Sequence, residues 1–425
     1  MKITSLKAFQ IYDSRGFPTV ECHLELADGS CGVGIVPSGA STGQFEAWEL
    51  RDGDVNHLQG KSVLKAISNI EDEIAAGIKG MDAFSQEEVD QRMILLDGTA
   101  NKSRLGANAI LGVSMAVANA AANSSGKPLF DYLGKGEGTL LPLPEIQLIG
   151  GGAHAAWRTD IQDFLLMAIG AKSYAETLEM TFNVYHTAGR LLKEKGNLAG
   201  IADEGGYWPS FSSHEEIFSF VIEAIAAAGY EPGVDLAISL DVAASDLYNE
   251  KAGVYRLPLD KAEYSPDEFI TLQIGWCDRF PVVSIEDPLA DTDWKAWKRY
   301  NETLGNRLQI IGDDLFTTNT GRIQKGIQQG VANSVLIKLN QIGTVSETIE
   351  AIRQTQAAGW NPVVSARSGE TEDAFISHLA VATNAGQLKV GSFARSERMV
   401  KWNEVLRIEH QLGERAEFKG GSILQ

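Results

Sequence analysis

Six apolar runs in the later part of the chain each close on a charged residue: Ala237–Asp241, Val282–Glu286, Leu308–Asp313, Ser334–Lys338, Pro362–Arg367 and Gly386–Lys389. The closing residues are 45, 27, 25, 29 and 22 positions apart, and the last four intervals fit one strand-plus-helix unit of roughly 30 residues. A single acid at a strand end is ordinarily a turn former or a helix cap. Three carboxylates followed by three cations are a costly series unless they serve a ligand, because like charges that close demand a counter-ion. Oxygen donors with no nearby Cys or His suit a hard divalent cation, magnesium best of all. A lysine beside such an ion and beside a second lysine is expected to have a depressed pKa, as a general base requires. The chemistry implied is removal of a weakly acidic proton next to a carboxylate, with the cation stabilising an enolate-like intermediate.

Elements that repeat in this way are expected to form a parallel β/α barrel, whose strand ends converge on one face, or an open doubly wound sheet. Helices fill the intervals. Ser213-x-x-Glu216, Ser265-Pro266-x-Glu268 and Thr344-x-x-Glu347 are capping boxes, and Gly229 and Gly359 close two of the helices. The first segment alternates as strands do, through Ile3-Leu6-Ala8, Thr19–Leu26 and Cys31–Val36, with an Asp28-Gly29 hairpin signal between the last two. Helical periodicity follows from about Ser62 to Gly126. The fold class is therefore α/β: residues 1–133 are expected to form an α+β capping domain, 134–144 a Gly- and Pro-containing linker, and 145–425 the barrel. The chain has no Gly-x-Gly-x-x-Gly after a strand and no Walker loop, so the usual nucleotide signatures are missing.

Composition narrows the ligand. With 37 Lys and Arg against 56 Asp and Glu, the net charge of −19 disfavours nucleic acid and anionic lipid. An anionic substrate must then be caught by a local cluster of positive charge. Pro362-Val363-Val364-Ser365-Ala366-Arg367-Ser368-Gly369 offers one, and is either a strand running into a solvated turn or an anion site at the sheet's mouth. Cys22, Cys31 and Cys277 have no metal-type spacing and read as reduced packing residues of a cytoplasmic protein. Met1–Lys7 lacks the apolar core of a signal peptide. Leu105–Gly126, uncharged but rich in Asn, Ala, Ser and Gly, reads as a tightly packed interior helix and not a membrane span. The tryptophans read as core.

The motifs extend this reading. Ser14-Arg15-Gly16-x-Pro18-Thr19-Val20, Pro37–Gly43, Asp203-Glu204-Gly205-Gly206, Asp241–Ser245, Ser284–Pro288, Gly312–Leu315, Lys338-x-Asn340-Gln341-Ile342-Gly343 and Arg367–Asp373 resemble enolase, in order and over nearly the whole chain. Lysine or histidine bases working with magnesium are the known pattern of that superfamily. The resemblance implies an N-terminal α+β cap on an enolase-type β/α barrel, two magnesium ions, and reversible dehydration of 2-phosphoglycerate to phosphoenolpyruvate. It implies that Asp241, Glu286 and Asp313 hold the first ion, and that Ser41, on a mobile loop, helps hold a second ion arriving with substrate. It makes Lys338 the base at C2 and Glu204 the acid at the C3 hydroxyl. Lys389 would face the substrate carboxylate, Arg367 and Ser368 the phosphate, and His154, Gln162 and Asp163 further parts of the substrate. A homodimer or a ring of dimers is also implied.

Five segments depart from the family's pattern. Ala366 stands where enolases carry His before the Arg-Ser-Gly motif, and residues 153–157 read Ala-His-Ala-Ala-Trp in place of Ser-His-Ala-Gly-Asn. Asp163 replaces a Glu, Tyr207-Trp208 replaces Phe-Ala, and Phe17 replaces an Asn. Ala neither titrates nor donates, Asp reaches less far than Glu, and Trp157 and Trp208 add bulk if they face the pocket. These departures keep open a relative acting on another phospho- or phosphono-carboxylate, such as carboxyphosphonoenolpyruvate synthase. A weakly active structural or binding paralogue is the third reading, opposed by the intact Asp241, Glu286, Asp313, Lys338 and Lys389.

Overall fold

The computed structural model describes residues 1–40 and 43–424. Strands Ile3–Tyr12, Pro18–Leu26 and Cys31–Ile35 pair antiparallel in sequence order. They pack on helix Ala107–Ser124, which is buried along most of its length, as its small uncharged residues predict. The approach is so close that a side chain at Gly32 would meet the Ala116 carbonyl oxygen at 2.1 Å, and one at Gly34 the Gly112 oxygen at 2.2 Å. Glycine is required there by space and not by backbone angle. Among the described residues no helix is long and apolar enough to cross a membrane.

The second region is a closed eight-stranded barrel, not an open sheet. Its strands, in order around the barrel and along the chain, are Leu143–Gly150, Asp163–Met167, Ala237–Asp241, Val282–Glu286, Gln309–Gly312, Ser334–Ile337, Asn361–Ser365 and Gln387–Ser392. Six coincide with the charged runs read from sequence. The other two have no helix between them, and the second runs antiparallel to both its neighbours. That reversal places the N-terminal residue of the second strand, Asp163, opposite Asp241 at the mouth where the other strands have their C-terminal ends.

Capping works as the sequence indicates. Ser213, Ser265 and Thr344 each accept the backbone N–H of the Glu three residues on, and Ser265–Glu268 forms the reciprocal box. The barrel interior below the mouth is polar: Gln387 bonds Gln309 and Glu145, Ser239 donates to Glu145 at 3.0 Å, and Ser284 donates to Gln309 at 3.1 Å. These bonds cross strands that are far apart in sequence and fix the register of the strand ends above them. Not all tryptophans are core. Trp276, Trp297 and Trp402 are buried, but Trp48 and Trp157 are more than half exposed.

Asp90 joins the cap to the barrel. Buried on helix Gln86–Asp97, it accepts the backbone N–H of Ser346 at 3.0 Å and the Ser346 hydroxyl at 2.7 Å. Burial, only partly offset by hydrogen bonds from Ser114 and Ser346, raises its pKa from 3.8 to about 6. The folded chain therefore holds a proton here that the unfolded chain releases, so this contribution falls as pH rises through that window. Asn at this position cannot titrate. Urea unfolding is expected to show the stability of wild type relative to Asp90→Asn shrinking by up to ~3 kcal/mol between pH 4 and 7. A difference independent of pH would contradict the assignment.

Candidate active site

The nominated residues arrive at the barrel mouth by different local routes. Asp241 and Glu286 are the last residues of their strands; Asp313 and Lys338 follow theirs directly. Arg367 and Ser368 lie just past the strand Asn361–Ser365. Lys389 is not a strand end, since its strand continues to Ser392, so its side chain points into the barrel from within the sheet. Glu204 sits in the loop between helices Tyr174–Glu194 and His214–Ala227. It is held by its own carbonyl oxygen, which accepts the Ser392 N–H at 2.9 Å, and by Gly205 and Gly206 beyond it. Gly205 has φ +96°, and a side chain there would meet the Ala394 carbonyl oxygen at 2.9 Å. His154 lies in the short turn Gly152–Ala155 after the first barrel strand. One cavity is walled by His154, Gln162, Asp163, Glu204, Asp241, Asp313, Lys338, Arg367, Ser368 and Lys389. Glu286 lies behind that wall and reaches it through Lys389. Ser41 falls outside the described residues.

Charge pairing organises the cavity. The Lys389 ammonium donates to Asp241 at 2.7 Å and to Glu286 at 2.6 Å, with Asp163 at 3.7 Å. Burial opposes its charge, but those carboxylates hold it well above the ordinary lysine value. In return Asp241 stays low despite its burial, while burial and the charge of Asp241 push Glu286 up. Lys338 donates to Asp313. Its pKa is raised and not depressed: burial works against the ammonium, and Arg367 and Lys389 repel it, but the pull of Asp313 and Glu286 prevails. The expectation from sequence counted the neighbouring cations and missed how directly the lysine engages Asp313.

The second acidic group behaves differently. Ligating atoms of His154, Asp163 and Glu204 lie within 4.8 Å of one another. Burial and the neighbouring Glu204 charge raise Asp163 to about 6, while His154, Arg398 and Lys389 hold Glu204 below its ordinary value in spite of burial. Asp163 is therefore the more readily protonated of the two.

The donor set fits a hard cation. Asp241, Glu286 and Asp313 come from three adjacent strands, supply only oxygen, and include the buried Glu286 Oε1, which has no hydrogen-bond partner among the described residues. The three are not drawn into one tight cluster, because Lys389 closes Asp241 onto Glu286 and Lys338 draws on Asp313. Asp313 instead groups with Asp287 and Asp314.

Several contributors escape sequence reasoning. Asp287, at φ +41°, accepts the backbone N–H groups of Asp313 and Asp314, both at 2.9 Å, and so sets where Asp313 points. Arg15 reaches from the cap to donate to Ser368 Oγ at 3.1 Å, and Arg398 donates to the carbonyls of Arg367 and Ser368. Asp287 and Arg15 stand inside quoted motifs, whereas Arg398 has no local signal. The added tryptophans do not wall the cavity. Trp157 lines an outer groove with Tyr248 and Arg256, and Trp208 packs on Gly200 with the Arg158 guanidinium 5.0 Å from its ring centre. Ala366 does wall the cavity.

Paired lysines, two neighbouring buried carboxyl groups and a guanidinium at one barrel mouth define a β/α-barrel enzyme for an anionic substrate. Comparison with known proteins is more specific. The family model for the enolase C-terminal TIM barrel domain matches residues 138–425, and that for the enolase N-terminal domain matches residues 3–133. The chain is 53% identical over 423 residues to a protein named Enolase 1 from Desulfitobacterium hafniense (strain Y51), an alignment covering 99% of this chain and 97% of that one. The chain belongs to the enolase family.

The ammonium of Lys389 is the counter-charge of this mouth, which makes a direct test possible. Lys389→Met leaves Asp241 and Glu286 buried against each other without it, at an expected cost of about 3 kcal/mol or more. The thermal midpoint should fall at pH 7.5 and recover in part at pH 5, where the pair can take up protons. A midpoint equal to wild type at pH 7.5 would refute the role.

Proposed function

We propose that this chain catalyses the reversible, magnesium-dependent dehydration of 2-phosphoglycerate to phosphoenolpyruvate. One observation carries the assignment of roles: Lys338, Glu204, Arg367 and the acids Asp241 and Asp313 wall a single cavity. Arg367, with Ser368 beside it, takes the phosphate, as a planar fork of donors suits. Lys389 faces the substrate carboxylate. Asp241, Glu286 and Asp313 hold the first magnesium ion, and Ser41 joins the second when substrate is present. Bound magnesium supplies a counter-charge for the negative charge that develops on the substrate carboxylate when the C2 proton leaves.

In the forward direction Lys338 Nζ takes the C2 proton, and the electron pair left at C2 forms the double bond as the C3 hydroxyl departs. That hydroxyl leaves as water, taking a proton from the Asp163–Glu204 pair, with Glu204 delivering it. Lys338 must be neutral to act, so its release from Asp313 is part of reaching the reactive state. His154, 3.8 Å from Glu204, and Gln162, which donates to Asp241 at 2.8 Å, orient the groups around the substrate. Enolase-family similarity over nearly the whole chain favours this reading over the phosphono-carboxylate and non-catalytic ones. On the family resemblance we further assign the chain to the cytoplasm, as a homodimer or ring of dimers.

Phosphoenolpyruvate formation, followed by its ultraviolet absorbance, is expected with magnesium and lost with a chelator. Lys338→Ala is expected to abolish solvent deuterium exchange at C2 of 2-phosphoglycerate. Glu204→Gln should retain that exchange while dehydration falls by about 100-fold or more. No product at high enzyme would sink the assignment, and undiminished exchange in Lys338→Ala would sink the choice of base.

A further inference from the structure

The Arg367 guanidinium is already engaged by an anion of the chain itself. Glu46, from the capping region, clamps it side-on: Nη1 donates to Oε2 at 2.9 Å and Nη2 to Oε1 at 3.2 Å. The side chains are only 4% and 8% exposed, so this is a desolvated, two-point pair. It reproduces the geometry with which arginine grips a phosphate. The pair is also tethered. The same carboxylate accepts the Gly43 N–H at 2.9 Å, the next residue, Ala47, donates its N–H to the Gln341 carbonyl at 2.7 Å, and Arg367 Nη1 also donates to Asn340 at 2.9 Å. On its far side Glu46 borders a cavity of about 370 Å³, lined by Asn101, Asn108, Asn340 and Glu49, that gives a displaced carboxylate room to turn.

We propose that Glu46 is a specificity-determining residue, a resident carboxylate that an incoming ligand must displace from Arg367. A single carboxylate exchanged for Glu46 brings no added charge and loses the Gly43 bond. A phosphate dianion brings a second charge and a third oxygen, which Ser368 can meet, and so wins the exchange. The site thereby rejects small monoanions and unphosphorylated hydroxy acids before any chemistry. The inference rests on Arg367 being the phosphate contact.

Calorimetric titration of the full-length chain with inorganic phosphate and with acetate tests it. Wild type is expected to bind phosphate and not acetate. Glu46→Gln, nearly isosteric, should bind phosphate about tenfold more tightly and begin to bind acetate. In turnover its KM for 2-phosphoglycerate should fall while kcat does not rise. In wild type, hydrogen exchange over residues 43–50 should quicken when inorganic phosphate is added, because the Gly43 amide loses its acceptor. Phosphate affinity unchanged or weakened in Glu46→Gln, or exchange unaffected by phosphate, would overturn the proposal. Arg367→Ala separates the two assignments. If it binds phosphate as wild type does, Arg367 itself is misassigned. If it loses phosphate but Glu46→Gln gains nothing, only the displacement role fails.

Discussion

One ammonium group under the barrel mouth makes the rest of the site possible. Lys389 lies between Asp241 and Glu286 and within reach of Asp163, three acids that the barrel forces together by ending adjacent strands at one level. Without that charge their mutual repulsion and desolvation would oppose closure of the barrel. With it, they remain a concentrated set of oxygen donors. The arrangement is stable because it is balanced, and it fits a cation because the balance is only partial: Glu286 Oε1 is buried with no hydrogen-bond partner among the described residues.

The same logic of borrowed counter-charges runs outward from this centre. Lys338 pairs with Asp313, His154 lies by Glu204, and Arg367 is clamped by Glu46. Each cation expected to touch substrate is already paired inside the chain. Binding is then an exchange of partners and not a filling of bare charges, which keeps so much buried charge compatible with a folded protein. The cap takes part, since Glu46 and Arg15 belong to it while the residues they hold belong to the barrel turn after Ser365.

The barrel was legible where its physics repeats. Parallel strands buried on both faces give apolar runs, and their polar ends recur at the spacing of a strand plus a helix, so six of eight strands could be read. Leu143–Gly150 and Asp163–Met167 were not, because no helix separates them and the second runs backwards; its functional residue is at its start. The motifs identified the site residues but not their state. The raised pKa values of Lys338 and Asp163 depend on distances between residues remote in sequence. Trp157 and Trp208 illustrate the reverse error: their size drew attention to the pocket, yet backbone placement turns both away from it. Ala366, chemically blank, and Asp163 are the departures that do line the cavity.

Partner exchange at the strand-end acids is the central claim, and magnesium binding without substrate tests it most directly. Calorimetric titration of the full-length chain should show one saturable Mg2+ site. The site should vanish in Asp241→Asn and in Glu286→Gln, each confirmed to be folded by circular dichroism. Saturable binding that survives both substitutions, or no binding by the wild-type chain, would contradict the account.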